Sequence, residues 1–129
     1  MDYYRLNGKP IGEIAQFALY MGALGLPFIF LSGDDAACRE VEELIPGVTT
    51  AAVKKGLSRQ SAISLSQAEA HRRIREGAAE AVRKQQANPL PPFTVPGPYE
   101  LEVRFFHTDT VDGLVRRPDV ERLDSQTIR

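Results

Sequence analysis

The sequence predicts an α/β fold, a layered sheet with flanking helices whose strands are mixed or partly parallel, forming part of a larger α/β subunit. Three observations predict it. Apolar positions at three- and four-residue spacing alternate with short β-type runs through the first half of the chain. The run Phe28–Leu31 is continuously apolar, as in a strand covered on both faces. A later segment, Tyr99–Phe105, alternates apolar and charged residues with the period of a half-buried strand.

Taken in order, Tyr3–Leu6 is a short strand that ends at Asn7-Gly8, the dipeptide best suited to a tight turn with positive φ. From about Pro10 to Leu24, the residues Ile11, Ile14, Ala18, Met21 and Leu24 predict a helix with one buried stripe. Gly25 ends it, and the strand Phe28–Leu31 follows. Ser32-Gly33-Asp34-Asp35 supplies a turn and N-cap candidates for a second helix to Ile45, with Ala37, Val41 and Leu44 inward. Pro46-Gly47 stops that helix, and Val48–Lys54 forms the next strand. Crossovers of this length are right-handed. Past Gly56 the pattern loosens until Ser66-Gln67-Ala68-Glu69, a capping box for a long helix to about Gln86. Its narrow face carries Ala70, Ile74, Ala78, Ala81 and Val82. Asn88–Pro98 holds five of the nine prolines and is an extended connector. After the strand Tyr99–Phe105 come a short helix near Val111–Arg117 and a last strand at Val120–Leu123 or Thr127–Arg129. The expected organisation is thus an α/β core segment over 1–87, a Pro-rich connector over 88–98 and a β-α-β segment over 99–129. Both termini look cut from something larger.

Composition excludes several function classes. With 16 basic and 17 acidic side chains the net charge is −1, so no basic excess points to nucleic acid or an anionic membrane. Ile14–Leu31 is nearly all apolar, but Gly22, Gly25 and Pro27 divide it into a helix and a strand rather than a membrane span. Cys38 is the only cysteine, which suits a reducing compartment, and the N-terminus lacks a signal-peptide pattern; the expected location is cytoplasmic.

The chemistry-bearing residues are sparse. His71 lies in the charged part of the long helix and His107 follows the alternating strand; neither has a second ligand at metal-binding spacing. Cys38 sits beside an apolar stripe and reads as a small buried hydrophobe. Glu13, in the first turn of an otherwise apolar helix, either complements the helix dipole or is a well-oriented metal ligand. Asp34 and Asp35 follow a buried strand, at the end where α/β sheets collect ligands, although Asp is also a favoured N-cap. Lys54-Lys55-Gly56 ends the next strand on the same edge. There is no Gly-x-Ser-x-Gly elbow and no phosphate-binding Gly-rich loop, which counts against a nucleotide-binding domain.

The stretch Leu6-Asn7-Gly8-Lys9-Pro10-Ile11-Gly12-Glu13-Ile14, then Gly22, then Gly25–Asp35, resembles the second half of the bacterial dipeptide-operon D-aminopeptidase family. Val53-Lys54-Lys55-Gly56 with Arg59, and the closing Asp124-Ser125-Gln126-Thr127-Ile128, extend the likeness over essentially the whole chain. The resemblance implies a cytoplasmic zinc metallo-aminopeptidase, a hydrolase with two zinc ions per complete subunit. Its substrates would be short peptides bearing an N-terminal D-amino acid, and its assembly a homo-oligomeric ring. By that likeness Glu13 is a zinc ligand, and the other ligands and the catalytic histidine lie in the preceding half, so this chain carries no catalytic residue of its own. His71 and His107 fall outside the matching motifs. Asp34, Lys54 and Arg59 belong to the family pattern without an assigned role. Ala15, Gln16 and Phe17 depart from the small-residue and Asn run that follows the Gly-Glu pair in the family. The alternative is a non-catalytic α/β assembly module that keeps the oligomerisation surface.

Overall fold

A computed structural model describes residues 2–129, which divide into two compact units: residues 2–16 with 95–129, and residues 17–94. The segment expected as one α/β core over 1–87 is therefore split. Its opening hairpin belongs with the C-terminal residues because it pairs with them.

In the first unit, β1 (Tyr3–Leu6) and β2 (Lys9–Ile11) form a hairpin with Leu6 opposite Lys9. The turn residues Asn7 and Gly8 have φ of 51° and 76°, the left-handed values a two-residue hairpin needs. Sequence periodicity placed the start of the first helix at about Pro10; instead Lys9–Ile11 pairs with β1, so the helix begins only after Gly12. β6 (Leu101–Arg104) lies antiparallel on the other side of β1, and β7 (Thr127–Ile128) pairs with β6, giving the order β2-β1-β6-β7. A short helix, α4 (Thr108–Leu114), covers this sheet and closes a core of Val103, Val111 and Ile128. It starts three residues before the expected Val111.

The second unit contains α2 (Asp35–Leu44), β3 (Phe30–Asp34), β4 (Thr49–Ser58), β5 (Ser61–Ser64) and α3 (Gln67–Ala87). β3 and β4 are parallel, β4 and β5 antiparallel, in the order β3-β4-β5. The sheet is thus mixed, with one parallel pair joined through α2. Thr50 Oγ1 donates to Glu42 Oε1 of α2 at 2.5 Å. From the neighbouring positions, Phe30 and Ala51 face Gly77 of α3, which shows that the two helices lie on opposite faces. A Cβ on Gly77 would come within 2.8 Å of the Phe30 ring, so the glycine sets how closely α3 approaches. α2 buries Cys38 and Val41, and its C-cap Ile45 is buried after them. α3 buries Ala81, whereas Val82, expected on the same face, is half exposed. The extension of β4 past Lys54 and its hairpin with β5 were not foreseen, because Lys54–Ser58 and Ser61–Ser64 are exposed on both faces and carry no burial pattern.

α1 (Glu13–Ala23) runs from the first unit into the second. Its buried face follows the predicted stripe at Ala18, which is fully buried, and at the half-buried Ile14 and Met21, but not at Leu24. Ala15 and Ala18 are buried, whereas Phe17, Tyr20 and Leu24 are 53%, 64% and 59% exposed. Gly22 marks the covered side within the second unit: a Cβ there would stand 1.9 Å from the carbonyl oxygen of Phe93. The connector crosses the helix against its small residues, so the large ones turn outward. Gln85 anchors the connector, its Oε1 accepting from Leu90 N–H at 2.8 Å and its Nε2 donating to Leu90 O at 3.3 Å.

Candidate functional site

Glu13 opens α1 directly after the β1–β2 hairpin, and the first helical bond runs from Gln16 N–H to Gly12 O at 3.1 Å. The paired hairpin and the helix start hold this backbone from both sides, so the carboxylate projects from a rigid junction. It is exposed and makes no hydrogen bond or ion pair among the described residues. Both roles considered for it, dipole complement and ligand, suit that placement. One turn on, Gln16 Nε2 is buried without an acceptor among the described residues. A buried donor without a partner is costly, and native proteins rarely leave one so.

Asp34, at the end of β3, and Lys54, in the middle of β4, are register partners beside an irregularity at Gly33/Asp34. Asp34 is committed to structure: its Oδ1 accepts from Ala37 N–H at 2.8 Å and caps α2. Asp35 pairs with Arg39 at 3.1 Å, and the hydrogen bond from that guanidinium holds its carboxyl below the ordinary value. Lys54 is exposed, and Arg59 lies at the exposed tip of the β4–β5 hairpin. Cys38 is buried, and desolvation pushes its thiol up, away from nucleophilic use.

Neither histidine is placed for metal binding. His71 is exposed on α3, and His107, exposed at the N-terminus of α4, gives no side-chain cap. Near His71, Glu69 is held by Arg72 at 2.7 Å and Arg73 at 2.8 Å, which draws its carboxyl down to about 2. Ser66 Oγ caps α3 by accepting from Glu69 N–H at 3.3 Å, but the Glu69 side chain turns to the arginines, so only half of the expected capping box forms.

The closing motif is structural. Asp124 accepts from Gln126 N–H at 2.7 Å and from Thr127 Oγ1 at 2.9 Å, while Gln126 Nε2 donates to Phe106 O at 2.9 Å. Arg104 Nη2 donates to Gln126 Oε1 at 2.9 Å. Together these bonds clamp β7 onto β6, and Thr127 is 2% exposed.

Among the described residues no group of three or more His, Cys, Asp or Glu side chains could hold a metal ion, and no helix is long and apolar enough to cross a membrane. The residues present do not by themselves fit a zinc centre. One carboxylate supplies too few of the ligands such a site requires.

With this fold and this isolated, rigidly presented carboxylate in view, comparison with known proteins defines the class: the chain belongs to the D-aminopeptidase family, which matches residues 1–129. Among relatives, it is similar to the D-aminopeptidase of Bacillus subtilis (strain 168), 42% identical over 91 residues, covering 70% of this chain and 33% of that protein. Among solved structures, it is similar to the Zn-dependent D-aminopeptidase DppA from Bacillus subtilis, a self-compartmentalizing protease. The TM-score is 0.88 at 33% identity, covering 98% of this chain and 46% of that one. The chain therefore spans about a third of the curated relative and under half of the solved one.

Proposed function

We propose that this chain is part of a zinc-dependent D-aminopeptidase subunit, in which Glu13 is one metal ligand and the other ligands come from portions of the subunit that this chain does not contain. One observation carries the reading: a family match over all 129 residues coexists with the lack of any three-ligand cluster among the described residues. The Zn-dependent relative, less than half of which this chain covers, supports it. So does Glu13, whose carboxylate is rigidly based and free of competing protein partners. The substrates are short peptides with an N-terminal D-amino acid, the completed enzyme is a cytoplasmic homo-oligomer, and the chain alone is inactive.

The test uses the chain alone and a hybrid in which it replaces its matched portion of the Bacillus subtilis relative. The chain alone is expected to hold no stoichiometric zinc and to leave an N-terminal D-alanyl peptide uncut. The hybrid is expected to bind zinc and cut the peptide, with both properties reduced in Glu13→Ala while its circular dichroism is unchanged. Full zinc occupancy in the Glu13→Ala hybrid would refute the assignment.

A second reading, a non-catalytic assembly module, is favoured by the exposed apolar residues Phe17, Tyr20 and Leu24. A hybrid that assembles without binding zinc would select it.

A further inference from the structure

Among the described residues the two sheets have four edge strands, of which two are protected and a third, β5, has no covered face. β2 carries Lys9 and Pro10, a charge and a residue with no backbone donor, both usual guards of an edge. β7 has two residues, and β5 is a four-residue strand exposed along its length. Short edge strands are poor templates for pairing.

β3 is different. It is a parallel strand covered by α2 and α3 on its two faces, the setting of a strand inside a sheet rather than at its margin. Its sequence Phe30-Leu31-Ser32-Gly33-Asp34 contains neither Lys nor Pro. Thr49 N–H donates to Ile29 O at 3.1 Å, and Phe30 and Ser32 stand opposite Thr49 and Ala51. In a parallel ladder this register turns the N–H and C=O of Leu31 and Gly33 toward β4. Those of Phe30 and Ser32 therefore point outward, where no strand pairs among the described residues.

The same unit shows a second uncovered surface. Phe17, Tyr20 and Leu24 recur at helical spacing and form an exposed apolar stripe on α1. It connects to the approach of β3 through an edge-to-face contact of Phe17 with Phe28, centroids 5.9 Å apart. A helix that is apolar on both faces is an interior helix.

We infer that the open edge of β3, together with the outer face of α1, is the docking surface for the part of a D-aminopeptidase subunit that has no counterpart in this chain, and that the docking element lays a strand along β3. The inference rests on the family reading. The occupant follows from coverage: 98% of this chain matches only 46% of the solved relative, so most of that subunit remains to be placed.

Amide exchange of the 129-residue chain and of the hybrid tests this. In the chain alone, the Phe30 and Ser32 amides are expected to exchange freely while Leu31 and Gly33 are protected. In the hybrid, Phe30 and Ser32 should slow by about 100-fold or more, as for amides released only by substantial opening. Ser32→Pro removes an outward donor from an exposed position, so it should leave the melting of the chain alone unchanged and lower that of the hybrid. A folded hybrid whose Phe30 and Ser32 amides still exchange freely would overturn the inference. So would a dimer of the chain alone that protects them, because the occupant would then be a second copy. The Glu13→Ala hybrid separates the two readings. Zinc retained with β3 protected counts against the metal assignment only, and zinc lost with β3 protected supports both.

Discussion

The antiparallel unit and the α/β unit differ in how they end. The first closes its strand edges, though Tyr99 and Phe106 stay exposed: β1 is paired on both sides, β2 is guarded by Lys9 and Pro10, and β7 is clamped by Asp124 and Gln126 beside a core at Val111. The second leaves a parallel strand at its margin and turns Phe17, Tyr20 and Leu24 to solvent. The contrast teaches that apolar content alone does not locate a core. An element is interior only when something covers each of its apolar faces, and α1 has covering on one face only.

The sharpest way to break this comparison is Gly22→Ala. Its Cβ would meet the Phe93 carbonyl at 1.9 Å, and backbone cannot yield as a side-chain tip can. A loss of about 3 kcal/mol is expected from overpacking at so close a crossing, read as a lowered urea midpoint. An unchanged midpoint would mean that the connector does not lie against α1. Val111→Ala probes the closed unit, where the side chain is fully buried. It should cost roughly 2 kcal/mol by loss of burial and creation of a cavity, and thermal melting would report it.

A smaller effect is expected in acid. Hydrogen bonds from Gln126 N–H and Thr127 hold the Asp124 carboxyl below its ordinary value of 3.8. A depressed carboxyl stabilises the folded state above its unfolded value, and that contribution fades as pH falls from about 4 through the folded value. Asp124→Asn should flatten this part of the stability–pH curve; a curve that keeps its slope would remove Asp124 as the clamp. The smallest effect is Leu24→Ser. At 59% exposure it should change the stability of the chain by no more than about 0.5 kcal/mol. A loss several times larger would put Leu24 in a core, with the rest of the stripe predicted from periodicity.

Much of the local structure was legible in residue order. Asn7-Gly8 announced its turn, Ser66 its helix cap, Cys38 its burial, and Tyr99–Phe105 the presence of β6, although Tyr99 and Leu101 stay exposed. Glu13 was singled out only through family resemblance, because a lone carboxylate in a first helical turn has an equally good dipole role. Asp34 shows the same ambiguity resolved by structure: its side chain is taken up by the cap of α2.

By itself, then, the sequence determined the α/β class, most elements and the family, since these depend on short-range periodicity, turn chemistry and ordered motifs. Only the tertiary structure decided that Gly22 is the close-packed point of α1 while Leu24 stays exposed, that Lys9–Ile11 is a strand, and that the first hairpin belongs with the last residues of the chain. Those outcomes depend on partners about 70 to 100 positions away: Phe93 against Gly22, and Glu102 and Val103 beside Arg5 and Tyr4. A local window holds helical period but not the identity of what packs against it, and burial is a property of the pair.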